Sequence, residues 1–144
     1  MRFMFIVKAT GYSEAGVNCS QEHNAAMIAY RKSLASAGVL ISAEELHPSS
    51  TGIRITYPID SGKPELLVGP FPVDQELIAE YILIEVNSEV EALDWALQIP
   101  VRISRGKCKI EVRKLKEDQG FIRDIGTLVM ETNLEDQLNM LKKF

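Results

Sequence analysis

The chain is poor in the residues that announce the commonest kinds of site. Its two cysteines, Cys19 and Cys108, show neither CxxC spacing nor a histidine at a metal-ligand interval. That pattern speaks against a zinc site or a dithiol redox motif and fits a reducing, cytoplasmic setting. There are only two histidines, His23 and His47, and no Ser-His-Asp or Cys-His arrangement can be read from spacing, because such triads are assembled in space. Positive charge is in deficit: 16 Lys and Arg against 20 Asp and Glu leave a formal net charge of -4 and a pI near 5.2. A broad nucleic-acid footprint needs clustered Lys and Arg that are missing here. The densest basic stretch, Arg102 to Lys116, reads as a solvated strand face, since Glu111, Glu117 and Asp118 sit among and just after its cations. Long apolar runs are absent as well. Phe3 to Val7 is followed at once by Lys8, too short for a signal-peptide core or a membrane span. The expectation is a protein neither exported nor anchored, with no cofactor, no metal, no nucleic acid and no membrane partner.

What is present suits one compact domain: 144 residues, 46% hydrophobic and 25% charged. Phe3 to Val7 is apolar at every position, as in a central strand covered on both faces. TGYSEAGVNCS reads as a loop ending at Ser20, an N-cap with Glu22 in the following turn. From Gln21 to Ala37 Met27, Tyr30 or Arg31, and Leu34 recur at helical spacing, and Gly38 supplies the stop. Val39 to Glu44 and Ile53 to Tyr57 alternate as strands joined by His47 to Gly52. Pro58 to Pro64 is a turn leading to a short strand, Glu65 to Val68, and then to the stiff segment GPFPV. Ala79 to Val86 is a further strand, with Ile82, Ile84 and Val86 on one face. Ser88 and Glu91 form a capping box before a second helix whose stripe is Leu93, Ala96 and Leu97. Lys109 to Leu115 alternates with Ile110 and Val112 inward.

Each helix thus connects strands by a crossover, which right-handedness places on one sheet face. The fold class is α+β, a ferredoxin-like βαββαβ sandwich over residues 1–115. Its other sheet face needs cover, and a second copy is the usual solution, so a homodimer is expected. Residues 116–144 form an extension with an amphipathic stretch at Leu134, Leu138 and Leu141, expected to pack as a helix at the dimer interface.

MRFMFIVKAT with SEAGV, AGVL, LHPSSTGIRI, GPF, ELIAEYILIEVNSEVEALDWALQIP and IEVR together resemble the YciI-like (YCII-related) proteins, and their DGPF-domain branch in particular. The resemblance implies the dimeric α/β barrel that two ferredoxin-like protomers build. For activity it implies a small-metabolite enzyme using a His and Asp pair in some relatives, or association with a sigma factor. One departure matters: where the branch motif reads Asp-Gly-Pro-Phe, this chain has Val68-Gly69-Pro70-Phe71, and the acid is missing.

His47, on a strand-ending turn beside Pro48, Ser49 and Ser50, is the candidate catalytic residue, since an imidazole titrates near neutral pH. His23, in the first turn of a helix, reads as solvated. Gly69 permits close backbone approach, while Pro70 and Pro72 fix their φ angles and hold Phe71 in one direction as a pocket wall. Lys8, Glu14, Glu44, Glu45 and Arg54 are the charged groups near these elements. The candidate ligand-binding set is therefore Lys8, Glu14, His47, Ser49, Ser50, Arg54, Gly69, Pro70 and Phe71. The expected function is a dimeric binder of an unknown small molecule. The alternatives are a lyase, dehalogenase or isomerase with His47 as acid or base and Glu14, Glu44 or Glu45 as its partner, and a regulatory partner of a sigma factor.

Overall fold

Alternating apolar residues and well-formed caps determine where the elements fall. In the computed structural model, which describes residues 1–60, 62–101 and 107–117, β1 (Arg2–Lys8) lies between β5 (Ile78–Glu85) and β6 (Ile110–Lys114), and β2 (Leu40–Glu45) pairs with the outer edge of β5. The sheet is antiparallel in the order β2-β5-β1-β6. Phe3 stands opposite Ile84 and Phe5 opposite Ile82, with Val112 on the other side of Phe5. This register sends Phe3, Phe5, Ile82, Ile84 and Val112 to one face of the sheet.

Two helices cover that face. Helix α2 (Gln21–Ser36) starts where Ser20 accepts a hydrogen bond from the His23 amide and ends before Gly38, whose φ of +74° suits glycine. It contributes Met27, Tyr30 and Leu34 to a core with Phe3, Phe5, Ile82, Ile84, Val86, Ala92, Ala96 and Ile99. Phe5, Leu34, Ile82 and Ile84 are fully buried, worth roughly 2 kcal/mol each by area. The Tyr30 hydroxyl, whose pKa burial pushes upward, donates to the Trp95 carbonyl of α3 (Glu89–Ala96) at 2.7 Å, and the two rings meet edge to face.

Several local expectations change. The inward stripe of α3 is Ala92 and Ala96, continued by Ile99, while Leu93 and Leu97 are exposed. Ala96 faces inward as expected, and Ala92 takes the place of Leu93 one residue earlier, about 100° round the helix. At its N-terminus Ser88 accepts from the Glu91 amide, but Glu91 reaches back to the Asn87 amide rather than to that of Ser88. The loop after β1 holds a one-turn helix, α1 (Gly11–Glu14), because Thr10 and Ser13 cap each other reciprocally. The strands β3 (Ile53–Thr56) and β4 (Glu65–Val68) stand outside the main sheet as a separate two-stranded hairpin. Neither joins the β2-β5-β1-β6 sheet, and the two pair with each other. The extension carrying Leu134, Leu138 and Leu141, together with Asp118, Arg102 and Arg105, lies outside the described residues.

Candidate functional site

The end of the sheet where β1 and β2 finish and β5 begins gathers the irregular segments. The Ala9 amide donates to the Leu77 carbonyl and the Leu46 amide to the Ala79 carbonyl, each at 2.7 Å. These two bonds prolong the strand pairs past their ends. They bring α1, the His47 to Gly52 connection and the segment after Gly69 together over one edge of the scaffold, where loops commonly carry binding groups.

Ser49 is the node of that cluster. Its amide donates to Glu14 Oε2 at 2.9 Å and its hydroxyl donates to Glu14 Oε1. The same oxygen, Ser49 Oγ, accepts from the Phe71 amide at 2.8 Å. Three segments, 35 and 22 residues apart in succession along the chain, are thus tied at one residue. Hydrogen bonds to an ionised carboxylate are the stronger kind. Gly69 donates to the Gly52 carbonyl at 2.9 Å and passes so close to the Ser49 carbonyl that a Cβ would overlap its oxygen. The Gly69–Pro70 peptide is cis. Phe71 is half-buried, with Arg54 of β3 stacked over its ring at 4.0 Å.

A cleft of about 510 Å³ opens beside this node, within the usual size range of small-molecule sites. His47, Ser49, Glu14 and Phe71 line it together with Leu77 and Ile78. Four of the candidate residues therefore meet at one cleft. Arg54 reaches it through Phe71, and Gly69 through the backbone. Ser50 and Pro70 are exposed and are not among its lining residues. Lys8 belongs elsewhere. Its ammonium is 3.2 Å from Glu111 and 4.0 Å from Glu76, with only 15% of the side chain exposed. Hydrogen bonds from Lys8 and then Arg113 hold the Glu111 carboxyl below its ordinary pKa.

Two of the three partner carboxylates considered for His47, Glu14 and Glu45, have other occupations. Glu14 is bonded at both oxygens by Ser49, and Glu45 pairs with Arg31 at 3.2 Å. His47 itself is exposed. Two residues that sequence reasoning left outside the site also stand out. Glu76 takes a left-handed backbone, φ 57° and ψ 50°, which is uncommon without glycine. It lines the His47 cleft and also a second one. His23 is half-buried rather than solvated and lines a small pocket of about 80 Å³ with Lys8, Ser13, Glu80 and Cys108. No local signal marks either, since both depend on the packing of distant segments. Among the described residues no His, Cys, Asp or Glu group is placed to hold a metal, and no helix is long and apolar enough to cross a membrane.

An antiparallel four-stranded sheet with both helices on one face and a loop cluster at one end defines an α+β domain. Its connections are compatible with the ferredoxin-like fold. The sequence profile of the YCII-related domain matches residues 1–116, and the chain belongs to that family. A search of the curated proteins finds no match.

Proposed function

We propose that the protein binds a small molecule in the cleft between His47, Ser49 and Phe71, and that it works as a homodimer. The observation that carries the first part is the meeting of Glu14, His47, Ser49 and Phe71 around one cleft, held by a side-chain node rather than by loose loop contacts. Apolar Leu46, Pro48, Leu77 and Ile78 share the walls with two carboxylates and an imidazole. That mixture suits a small metabolite with a flat apolar body and hydrogen-bond donors. Acid–base chemistry at His47 has weaker support, because Glu14 and Glu45 are engaged by Ser49 and Arg31.

A thermal-shift screen of small aromatic and polar metabolites tests the binding site. A ligand present at 100 times its Kd raises stability by about 2.7 kcal/mol, and that increment should vanish in Phe71→Ala while the unliganded variant still folds. A screen in which no compound class stabilises the wild type, or in which Phe71→Ala responds like the wild type, removes this reading.

Dimerisation is supported by uncovered apolar surface. Met4, Ile6, Tyr81 and Leu83 occupy the sheet face opposite the helices and are half-buried. The hairpin register puts Ile53 opposite Val68 and Ile55 opposite Leu66, so all four share one face, with 64%, 67%, 55% and 68% of their surfaces exposed respectively. A two-stranded hairpin is marginal alone in water. Stacking the open sheet faces of two copies would give the dimeric α/β barrel and cover these groups. Sedimentation velocity should show a dimer at micromolar concentration, and Leu66→Lys with Val68→Lys should shift it towards monomer. A wild-type monomer at every concentration would overturn the dimer and leave the cleft untouched.

A further inference from the structure

The second cleft that Glu76 borders is about 900 Å³ in volume, and His47 is not among its lining residues. Three features set its chemistry. Tyr12, Val17 and Val73 form apolar walls and are exposed, although apolar side chains in a concavity are normally covered by a ligand or by packing. Lysines 8, 107 and 109 converge on it against two acids, Asp74 and Glu76. Lys8, with 15% of its side chain exposed and its ammonium 3.2 Å from Glu111, is a cation held in place at the lining of the cleft.

The third feature is the position of Glu76. Its carboxylate accepts a hydrogen bond from Lys109 Nζ at 3.0 Å and stands 4.0 Å from Lys8 Nζ. To do so it follows the turn Val73–Gln75 in a left-handed conformation that disfavours residues with a Cβ. The Glu76 and Lys109 side chains are each about half exposed, and exposed ion pairs hold weakly. A strained residue with a weak grip is easily displaced. Strain of this kind concentrates at binding sites and switches.

We propose that this cleft is a separate site for a small amphipathic carboxylate. The ligand's apolar body lies against Tyr12, Val17 and Val73, and its carboxylate takes the place between Lys8 and Lys109 that the Glu76 carboxylate fills. Glu76 is then an internal competitor. When it leaves the lysines it is released on the segment that also borders the His47 cleft, so occupation of one site changes the wall of the other.

The test is an NMR titration of the full chain with sodium octanoate, compared with 1-octanol and inorganic phosphate. Octanoate should shift the amides of Tyr12, Val17, Val73 and Lys109, and bind at least tenfold more tightly than either control. Glu76→Gln removes the competitor and should tighten octanoate binding about tenfold. Lys109→Met should weaken it by a similar factor. Glu89→Gln, on α3 and outside the cleft, changes net charge equally and should leave the affinity unchanged. Equal binding of octanoate and octanol would overturn the proposal. So would shifts centred on the hairpin or on His47 and Phe71, a Glu76→Gln affinity no higher than wild type, or equal tightening by Glu89→Gln.

Discussion

Gly69→Ala is expected to lose about 3 kcal/mol of stability, combining the cost of overpacking with that of a broken hydrogen bond. The added Cβ would overlap the Ser49 carbonyl oxygen and stand 2.7 Å from its carbon and 3.3 Å from the Ser50 nitrogen. All three are backbone atoms, so no rotamer relieves the clash. Either the turn at Ser49 or the segment after Gly69 must move. Movement of either stretches the Gly69–Gly52 and Phe71–Ser49 hydrogen bonds. Urea denaturation should show a lower midpoint at unchanged slope. Two other glycines provide the scale. At Gly52 a Cβ would meet the Ser49 oxygen at 3.2 Å and Phe71 Cε2 at 3.4 Å, so Gly52→Ala should cost about 1 kcal/mol, at the low end for overpacking. At Gly11 nothing lies within 4 Å, and substitution there should fall within about 0.5 kcal/mol of wild type, as surface changes usually do. A Gly69→Ala protein as stable as the Gly11→Ala protein would refute the close approach.

Gly69 also shows what kind of information the sequence carries. The reading of GPFPV as a stiff segment needing glycine rests on local chemistry, and the close approach at Gly69 has that character. The identity of the atom it approaches, the Ser49 carbonyl, is a tertiary fact 20 residues away in the chain. Strand β1 was legible from its unbroken apolar run, and β5, β6 and α2 because Ile82 and Ile84, Ile110 and Val112, and Met27, Tyr30 and Leu34 repeat with the period of their own element. Periodicity says which residues share a face and not what covers that face. Ile53 and Ile55 alternate with Arg54 and Thr56 much as Ile110 and Val112 alternate with Glu111 and Arg113. The first pair is open on a detached hairpin, while the second is packed against the core. In α3 Leu93 and Leu97 were expected inward beside Ala96, yet Ala92 and Ala96 form the contact with the core. The site divides in the same way. His47, Ser49 and Phe71 sit in segments whose turn chemistry was visible, whereas Lys8 pairing with Glu111 and the left-handed Glu76 follow from strand register and loop closure.

The Glu14–Ser49 link provides the second large effect. Glu14 was named from sequence as a candidate ligand-binding residue and a possible partner of His47, and in the structure it is bonded by Ser49. It accepts two hydrogen bonds from Ser49, whose hydroxyl in turn fixes Phe71. Glu14→Ala removes both acceptors and leaves a half-buried amide and hydroxyl to find water, a loss of about 2 kcal/mol for bonds to a charged group. Ser49→Ala strips the hydroxyl from both neighbours, leaving Glu14 with the amide bond alone and the Phe71 amide without its acceptor. Because the two residues act through one shared contact, the double variant should lose about 1 to 2 kcal/mol less than the sum of the single losses. Additive losses would mean that the link contributes nothing as a unit. The functional signature separates this from general destabilisation. A compound that stabilises the wild type through the His47 cleft should bind Glu14→Ala more weakly under conditions where the variant remains folded, since the Phe71 wall is no longer held in place. A remote core variant of equal stability loss, such as one at Ile99, should keep the wild-type affinity. If both variants bind alike, the node serves only to hold the fold, and the cleft does not depend on it.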